Sequence, residues 1–144
     1  ITVESAGVLA FSYDDPVVGV TGRAAVDAGI TPIAGALNVA VVSRIDGDDG
    51  TRLLGWSPVP GPADGAFALL VDYDNGSFGR TLAHEIGHYL GLWHTMDGGV
   101  PDPLDDTPET ASGNLMEKEG TGFLLTAQQG AVLRAHPLVS QECN

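Results

Sequence analysis

Three closely spaced histidines constrain the fold of this chain more than any other feature of its sequence. They lie at positions 84, 88 and 94 in one eleven-residue run, HEIGHYLGLWH. In a helix, His84 and His88 project from the same face about one turn apart. Their imidazole rings can therefore reach one metal ion at about 2.0–2.1 Å, the usual zinc–nitrogen distance.

His94 can bind the same metal ion as His84 and His88 only if the helix ends before it. In a continuous helix, His94 would lie about 9 Å beyond His88 along the axis, which is too far to share the ion. Gly91 lies between them, and a residue without a Cβ takes the left-handed turn that ends many helices at no steric cost. We therefore predict that the helix ends at Gly91 and that the chain folds back to bring His94 to the metal.

Glu85 occupies a different angular position from the histidines. It lies roughly 100° round the helix from His84, beside the metal rather than aimed at it. This position suits a general base that acts on water at the metal. Apolar residues of the same stretch cluster on the opposite face, which predicts that this face enters a core; they are Leu82, Ile86, Tyr89, Leu90 and Trp93.

The pattern H-E-x-x-H-x-x-G-x-x-H resembles the zinc signature of the metzincin metallopeptidases. Asn114-Leu115-Met116, about twenty residues after His94, is similar to the methionine turn of that clan. The resemblance implies that Met116 forms a floor beneath the zinc. Residues 79–83 and 105–108 look most like the pappalysin branch.

Length and composition agree with one catalytic domain. The chain has 144 residues, of which 43% are hydrophobic, enough to form a single core. The resemblance implies an α+β fold, with a small mixed twisted sheet, the active-site helix and a second helix in an N-terminal subdomain of about residues 1–91. A short irregular C-terminal subdomain of about residues 92–144 would carry the methionine turn and a closing helix.

Local patterns predict the other elements. Strands are expected at Val8 to Ser12, Leu37 to Ile45 and Ala66 to Tyr73, and a helix at Val17 to Ala28. A capping box at Thr126–Gln129 predicts a closing helix from Ala127 to about His136, stopped by Pro137. His136 itself is expected at the surface or as a cap residue, because it has no ligand spacing to the other histidines.

The resemblance also suggests where a substrate binds. In metzincins, the strand before the zinc helix is an exposed edge that pairs with extended peptide. Ala66 to Tyr73 occupies that place, with Leu69, Leu70 and Val71 as contacts, although an ordinary core strand is an equal alternative. The pocket for the residue after the scissile bond is expected from the stretch following Met116: an inward Glu117 or Glu119 would favour a basic residue, and Phe123 an apolar one.

A second metal is implied only by the resemblance. The stretch from Asp97 to Glu109 holds five acidic residues and three prolines. Pappalysin-like enzymes carry calcium in this region, and Asp106 and Thr107 match best. A solvated loop is about equally expected, and the chain lacks the cysteines that often bracket this loop. Its one cysteine, Cys143, is interpreted as an incidental free thiol.

Charge limits the classes of partner. Nineteen acidic and six basic residues give a net charge of -13, which argues against nucleic acid or an anionic membrane as a partner. No apolar run approaches the ~20 residues that span a bilayer. The resemblance implies secretion, and a monomer is the default expectation.

These observations favour a zinc-dependent endopeptidase acting on a protein or peptide substrate. Zinc would activate a water molecule, and Glu85 would take its proton and pass it to the leaving amine. Two alternatives stay open: a zinc hydrolase of a non-protein amide, and a catalytically silent peptide-binding module. The intact Glu85 and three histidines argue against the silent module. Some metzincins add a tyrosine after this methionine as a zinc ligand or oxyanion aid. No tyrosine follows Met116 here, so such help would come from elsewhere, for example from Tyr13 or Tyr73, or be absent.

Overall fold

The computed structural model describes residues 33–42, 45–47, 50–63, 67–71, 77–107 and 113–140. The predicted elements at 8–12 and 17–28, together with Tyr13, Tyr73 and Cys143, lie outside these residues. The elements, in chain order, are β1 (Asn38–Val42), β2 (Ile45–Asp46), β3 (Arg52–Leu53), β4 (Gly55–Trp56), β5 (Phe67–Val71), α1 (Phe78–Tyr89), β6 (Met96–Asp97), β7 (Val100–Pro101), α2 (Ala127–Ala135) and α3 (Pro137–Ser140). Every helix among these is too short or too polar to span a lipid bilayer.

The main sheet is mixed and has the strand order β1-β5-β4. Strand β1 runs parallel to β5, with Val39 opposite Ala68, and β4 runs antiparallel to β5, with Gly55 opposite Leu70. The predicted strand at Ala66 to Tyr73 is therefore present as β5.

The prediction that this strand is the exposed edge is wrong. Strand β5 lies in the centre of the sheet, because β4 pairs with Leu69 and Leu70 on the side away from β1. Because Leu69 and Leu70 pair with β4, the residues Leu69, Leu70 and Val71 lose the basis on which they were predicted to bind substrate. Among the described strands, the edge on that side is β4, a strand of two residues that lacks a recognisable sequence pattern.

One small core lies on the inner face of the sheet. Along β1 the side chains alternate, with Ala40 and Val42 buried and Val39 and Val41 facing outward, as the two-residue period of a strand requires. Ala40 and Val42 pack with Ile45, and Leu53 and Trp56 cover them.

The predicted strand from Leu37 to Ile45 is divided between two elements. Its last residue, Ile45, belongs to β2, which forms a hairpin with β3. The acidic turn at 46–50 joins these two strands, and Gly47 N donates to Thr51 O over 2.8 Å. This segment is therefore a hairpin turn, as its glycines and aspartates indicate.

A second core lies beneath α1. It consists of Leu92, Leu115 and Met116, with Ala83, Leu104, Val132 and Leu133 packed around them. Burying a large apolar side chain contributes about 1.5–3 kcal/mol relative to leaving it exposed. This core therefore holds α1, the methionine turn and α2 together.

The closing helix begins as predicted. Thr126 Oγ1 accepts from Gln129 N over 3.2 Å, and Gln129 Oε1 accepts from Thr126 N over 2.9 Å, which completes the capping box. The Gln129 side chain is fully buried and also exchanges hydrogen bonds with the amide of Asn114, at 2.9 and 3.2 Å. One side chain thus caps α2 and ties it to the methionine turn.

Of the two positions predicted for His136, at the surface or as a cap residue, the structure confirms the cap. His136 is the C-cap of α2, but it is only 6% exposed, and its Nε2 lies 2.8 Å from Gly61 O. Gly61, in the segment before β5, therefore packs against the end of α2. This contact joins residues far apart in the chain and could not be predicted from the spacing of the histidines.

The capping box predicts the effect of one substitution on stability. Thr126→Ala leaves the Gln129 N–H without its acceptor and should lower the free energy of unfolding by about 1 kcal/mol. Thr126→Ser keeps the hydroxyl and is the matched control. Urea denaturation of both variants measures the difference, and equal midpoints would contradict the assigned cap.

Candidate metal centre

Helix α1 carries the first two histidines and contains a glycine where most helices would lose stability. Glycine inside a helix costs about 1 kcal/mol relative to alanine. The structure explains Gly87, because a Cβ at this position would lie 2.6 Å from Met116 Sδ. Gly87 therefore allows the methionine turn to approach the helix backbone.

The helix ends as predicted, at a left-handed glycine. Gly91 has φ 105°. Leu92 N donates to Gly87 O and Gly91 N donates to His88 O, each over 2.9 Å, which is the hydrogen-bond pattern of a Schellman motif. The chain reverses here and returns His94 toward the helix.

The three imidazole rings converge through their Nε2 atoms. His94 Nε2 lies 3.1 Å from His88 Nε2 and 3.2 Å from His84 Nε2. Three nitrogens bound to a tetrahedral zinc at about 2.0–2.1 Å stand roughly 3.3 Å apart, so this spacing fits the ion. Within the described ranges, this is the only group of three or more histidine, cysteine or acidic side chains placed to hold a metal.

The other ring nitrogens are held by the protein. His84 Nδ1 lies 2.7 Å from Leu115 O, and His88 Nδ1 lies 2.7 Å from Leu92 O. A carbonyl only accepts hydrogen bonds, so each Nδ1 carries the proton and each Nε2 presents its lone pair to a metal.

Burial keeps these rings neutral. It lowers the pKa of His88 to about 4 and also lowers the pKa values of His84 and His94. Neutral imidazole is the form that binds zinc. The donor set therefore fits a zinc ion in both geometry and protonation.

His94 has a different outer partner from the other two rings. Its Nδ1 lies 3.7 Å from Asp97 Oδ2, and Asp97 Oδ1 accepts from Lys118 Nζ over 2.8 Å. The hydrogen bond from Lys118 lowers the pKa of the Asp97 carboxyl. Sequence reasoning placed Asp97 only in the acidic loop and missed its position beside the third ring.

Glu85 is buried next to the histidines. The residue is 5% exposed, burial raises the pKa of its carboxyl to about 8, and its Oε2 has no hydrogen-bond partner in the described structure. A buried carboxyl with a free oxygen and a raised pKa has the properties of a proton-transfer group.

Strand β4 lies directly against this carboxyl. A Cβ at Gly55 would lie 2.5 Å from Glu85 Oε1. Only glycine therefore fits without moving the carboxylate. The sequence contains no spacing signal for this contact, which joins a sheet edge to a distant helix.

Met116 lies on the underside of α1. It is fully buried, its N–H donates to Asn114 Oδ1 over 2.8 Å, and its carbonyl accepts from Thr95 N over 3.1 Å. These bonds link the methionine turn to the segment that carries His94.

The face of α1 assigned to the core needs one correction. Trp93 is 58% exposed, because the helix ends at Tyr89 and its angular period does not extend beyond the glycine turn. The largest buried apolar side chain of the helix is Tyr89, which is 0% exposed.

Asp106 and Thr107, the predicted calcium residues, have other partners. Asp106 Oδ2 accepts from Gln128 N over 2.9 Å, and hydrogen bonds from Thr126 and the start of α2 lower the pKa of the Asp106 carboxyl. Thr107 Oγ1 donates to Leu104 O over 2.8 Å and lies 2.5 Å from Asp102 Oδ1. These contacts place both residues in loop and helix-terminus hydrogen bonds, whereas Asp106 Oδ1 is buried without a partner among the described residues. Calcium at this position stays a prediction that no finding supports.

The predicted pocket residues lie on the loop after the methionine turn. Glu117 is half-buried, whereas Glu119 is exposed and Phe123 is 71% exposed. Their role in specificity stays a prediction.

Comparison with known proteins gives one consistent result. The M43 peptidase family model, described as pregnancy-associated plasma protein-A, matches residues 63–133, about half of the chain. An extracellular metalloprotease of Colletotrichum graminicola is 37% identical over 90 residues, which cover 54% of this chain and 32% of that protein. Extracellular metalloprotease 1 of Coccidioides posadasii is 34% identical over 89 residues, which cover 54% and 32%. The matches thus span about a third of these relatives.

The glycine turn predicts a test of the metal centre. Gly91→Ala places a Cβ at φ 105°, which strains the turn and displaces His94, so zinc affinity should fall at least tenfold. Gly99→Ala is the matched control, because Gly99 also has a positive φ, of 83°, but lies in the β6–β7 turn with open space around it. Zinc competition with a chelator measures both, and equal affinities would contradict the role of the turn.

Proposed function

We propose that this chain, which belongs to the M43 or pappalysin family of peptidases, is a zinc-dependent endopeptidase that hydrolyses peptide bonds. One observation carries the proposal. Three imidazole nitrogens converge at zinc-binding distances, and Glu85, the residue after His84 on α1, is a buried carboxyl with one oxygen that has no partner among the described residues. His84, His88 and His94 are the proposed ligands, and Glu85 is the proposed general base.

The residues divide the chemistry between them. When bound, zinc supplies a Lewis acid that acidifies water and polarises the peptide carbonyl. Glu85 takes the proton from the attacking water and delivers it to the leaving amine. Burial raises the pKa of this carboxyl, so it holds the proton between the two transfers. Leu115 O and Leu92 O keep two of the rings in the required tautomer.

The edge strand favours a polypeptide as substrate. Strand β4 is the terminal strand of its sheet among the described strands, and its Gly55 lies against Glu85. An extended peptide can pair with such an edge, which aligns its backbone for attack. This arrangement supports peptide hydrolysis over cleavage of a small amide, the second candidate function. Glu117, Glu119 and Phe123 are proposed to line the pocket for the residue after the scissile bond.

We further propose an extracellular setting and one catalytic domain. The two relatives compared above are named extracellular metalloproteases. The proposed subdomain boundary, near residues 91 and 92, falls at the glycine turn that ends α1.

Removing the proposed base tests the function. Glu85→Gln keeps the shape of the side chain but cannot accept the proton, so peptide hydrolysis should fall by about 10²–10⁴-fold. Zinc content, measured by elemental analysis, should stay at one ion per chain. Asp105→Asn makes the corresponding change at an exposed carboxylate outside the proposed site and should leave hydrolysis unchanged. Hydrolysis retained in Glu85→Gln would refute the assigned base.

The contact between β4 and Glu85 predicts a second effect on activity. Gly55→Ala should displace the Glu85 carboxyl and lower peptide hydrolysis by about 10²-fold, since small misplacements of reacting groups cost that much. Zinc content should not change, because Gly55 does not contact the histidines. Leu54→Ala, at the exposed neighbouring residue, is the control. A Gly55→Ala variant with the activity of the control would contradict the contact.

A further inference from the structure

Arg80 lies in the first turn of α1, four residues before His84. Residues at this spacing share one helix face, so the guanidinium lies on the same face as the first histidine. The side chain is half-buried. Arg80 is neither a proposed zinc ligand nor a group that transfers the proton in the mechanism proposed above.

The guanidinium holds the loop that follows the methionine turn. Its Nε donates to Gly122 O over 3.1 Å, and its Nη2 donates to Leu115 O and to Glu117 O, each over 3.2 Å. We call the segment 115–122 the wall loop. A planar fork with five N–H donors can reach three carbonyls at once, whereas a lysine ammonium acts as a single point charge.

One of these carbonyls also positions a proposed zinc ligand. Leu115 O lies 2.7 Å from His84 Nδ1 and accepts from Arg80 Nη2. A carbonyl oxygen has two lone pairs and can serve both donors. The orientation of the His84 ring therefore depends on a carbonyl whose position Arg80 holds.

Leu115 and Met116 hold the start of the wall loop in the second core, whereas residues 117–122 have few backbone hydrogen bonds besides those to Arg80. The backbone bonds of the wall loop in the described structure are those of Leu115 with Leu124, Thr95 with Met116, Glu117 with Asn114 and Gly120 with Glu117. No helix or strand includes residues 117–122. All three acceptors of Arg80 are main-chain oxygens, so side chains on the loop can change without loss of these bonds.

We propose that Arg80 is a positioning residue that couples zinc retention to the shape of the pocket for the residue after the scissile bond. Through Leu115 O it orients His84, and through Glu117 O and Gly122 O it holds the proposed pocket wall. The pocket part of this inference rests on the proposed peptidase function. The zinc part depends only on the metal centre.

Arg80→Met and Arg80→Lys test the proposal in the full chain. Arg80→Met removes all three hydrogen bonds and should weaken zinc binding about 10–100-fold, the usual cost of losing an outer partner of a ligand. Arg80→Lys should recover part of this loss. Arg134→Met, at an exposed arginine of α2, is the matched control. Circular dichroism measures the fraction of each variant that is folded. Competition with a chelator, referred to that fraction, gives the zinc affinity per folded molecule.

A peptide series that varies only the residue after the scissile bond tests the pocket. In Arg80→Met and Arg80→Lys, the ratio of kcat/KM between the best and worst peptides should fall about tenfold. The KM for the best peptide should rise.

Each result then decides one part of the proposal. Zinc affinity and peptide preference equal to those of Arg134→Met would overturn it, as would lower stability with both quantities unchanged. If Arg80→Met does not fold, the same two measurements on Arg80→Lys decide. If the unaltered chain binds zinc but cleaves no peptide, the proposed function fails while the zinc measurement still decides the role of Arg80.

Discussion

The three imidazole rings can converge only because α1 ends at Tyr89 and the chain reverses at Gly91, three residues after His88. The two hydrogen bonds around Gly91 close the helix and reverse the chain. If the helix continued by one more turn, His94 would be carried away along its axis. The buried contact of Met116 with Gly87 and the hydrogen bond from Thr95 N to Met116 O both lie close to this reversal. The site is therefore built around the end of one helix.

Features set by neighbouring residues could be predicted from the sequence. The i, i+4 spacing of His84 and His88, the helix-ending glycine and the capping box at Thr126 each follow from local backbone geometry. The family resemblance added Met116, which is distant in sequence. These predictions agree with the bounds of α1 and α2 and with the convergence of the three histidines.

Features set by distant pairing could not be predicted. Strand β4 has two residues, one of them glycine, and becomes a strand only because β5 offers it a partner. The contact of Gly55 with Glu85 has the same origin. The partners of the acidic stretch could not be predicted either. The sequence shows that Asp106 is charged, but it does not show that the start of α2 donates hydrogen bonds to this carboxylate. The burial of His136 was not predicted for the same reason, because its partner Gly61 lies on another part of the chain.

The buried amide pair between Asn114 and Gln129 has a consequence for motion in the molecule. Gln129 caps α2, and Asn114 also accepts from the backbone of Met116. If α2 moved away, the buried Asn114 amide would lose its partner, and an unmatched buried amide is costly. Opening of α2 therefore also loosens the methionine turn that packs under α1, so the two motions are coupled.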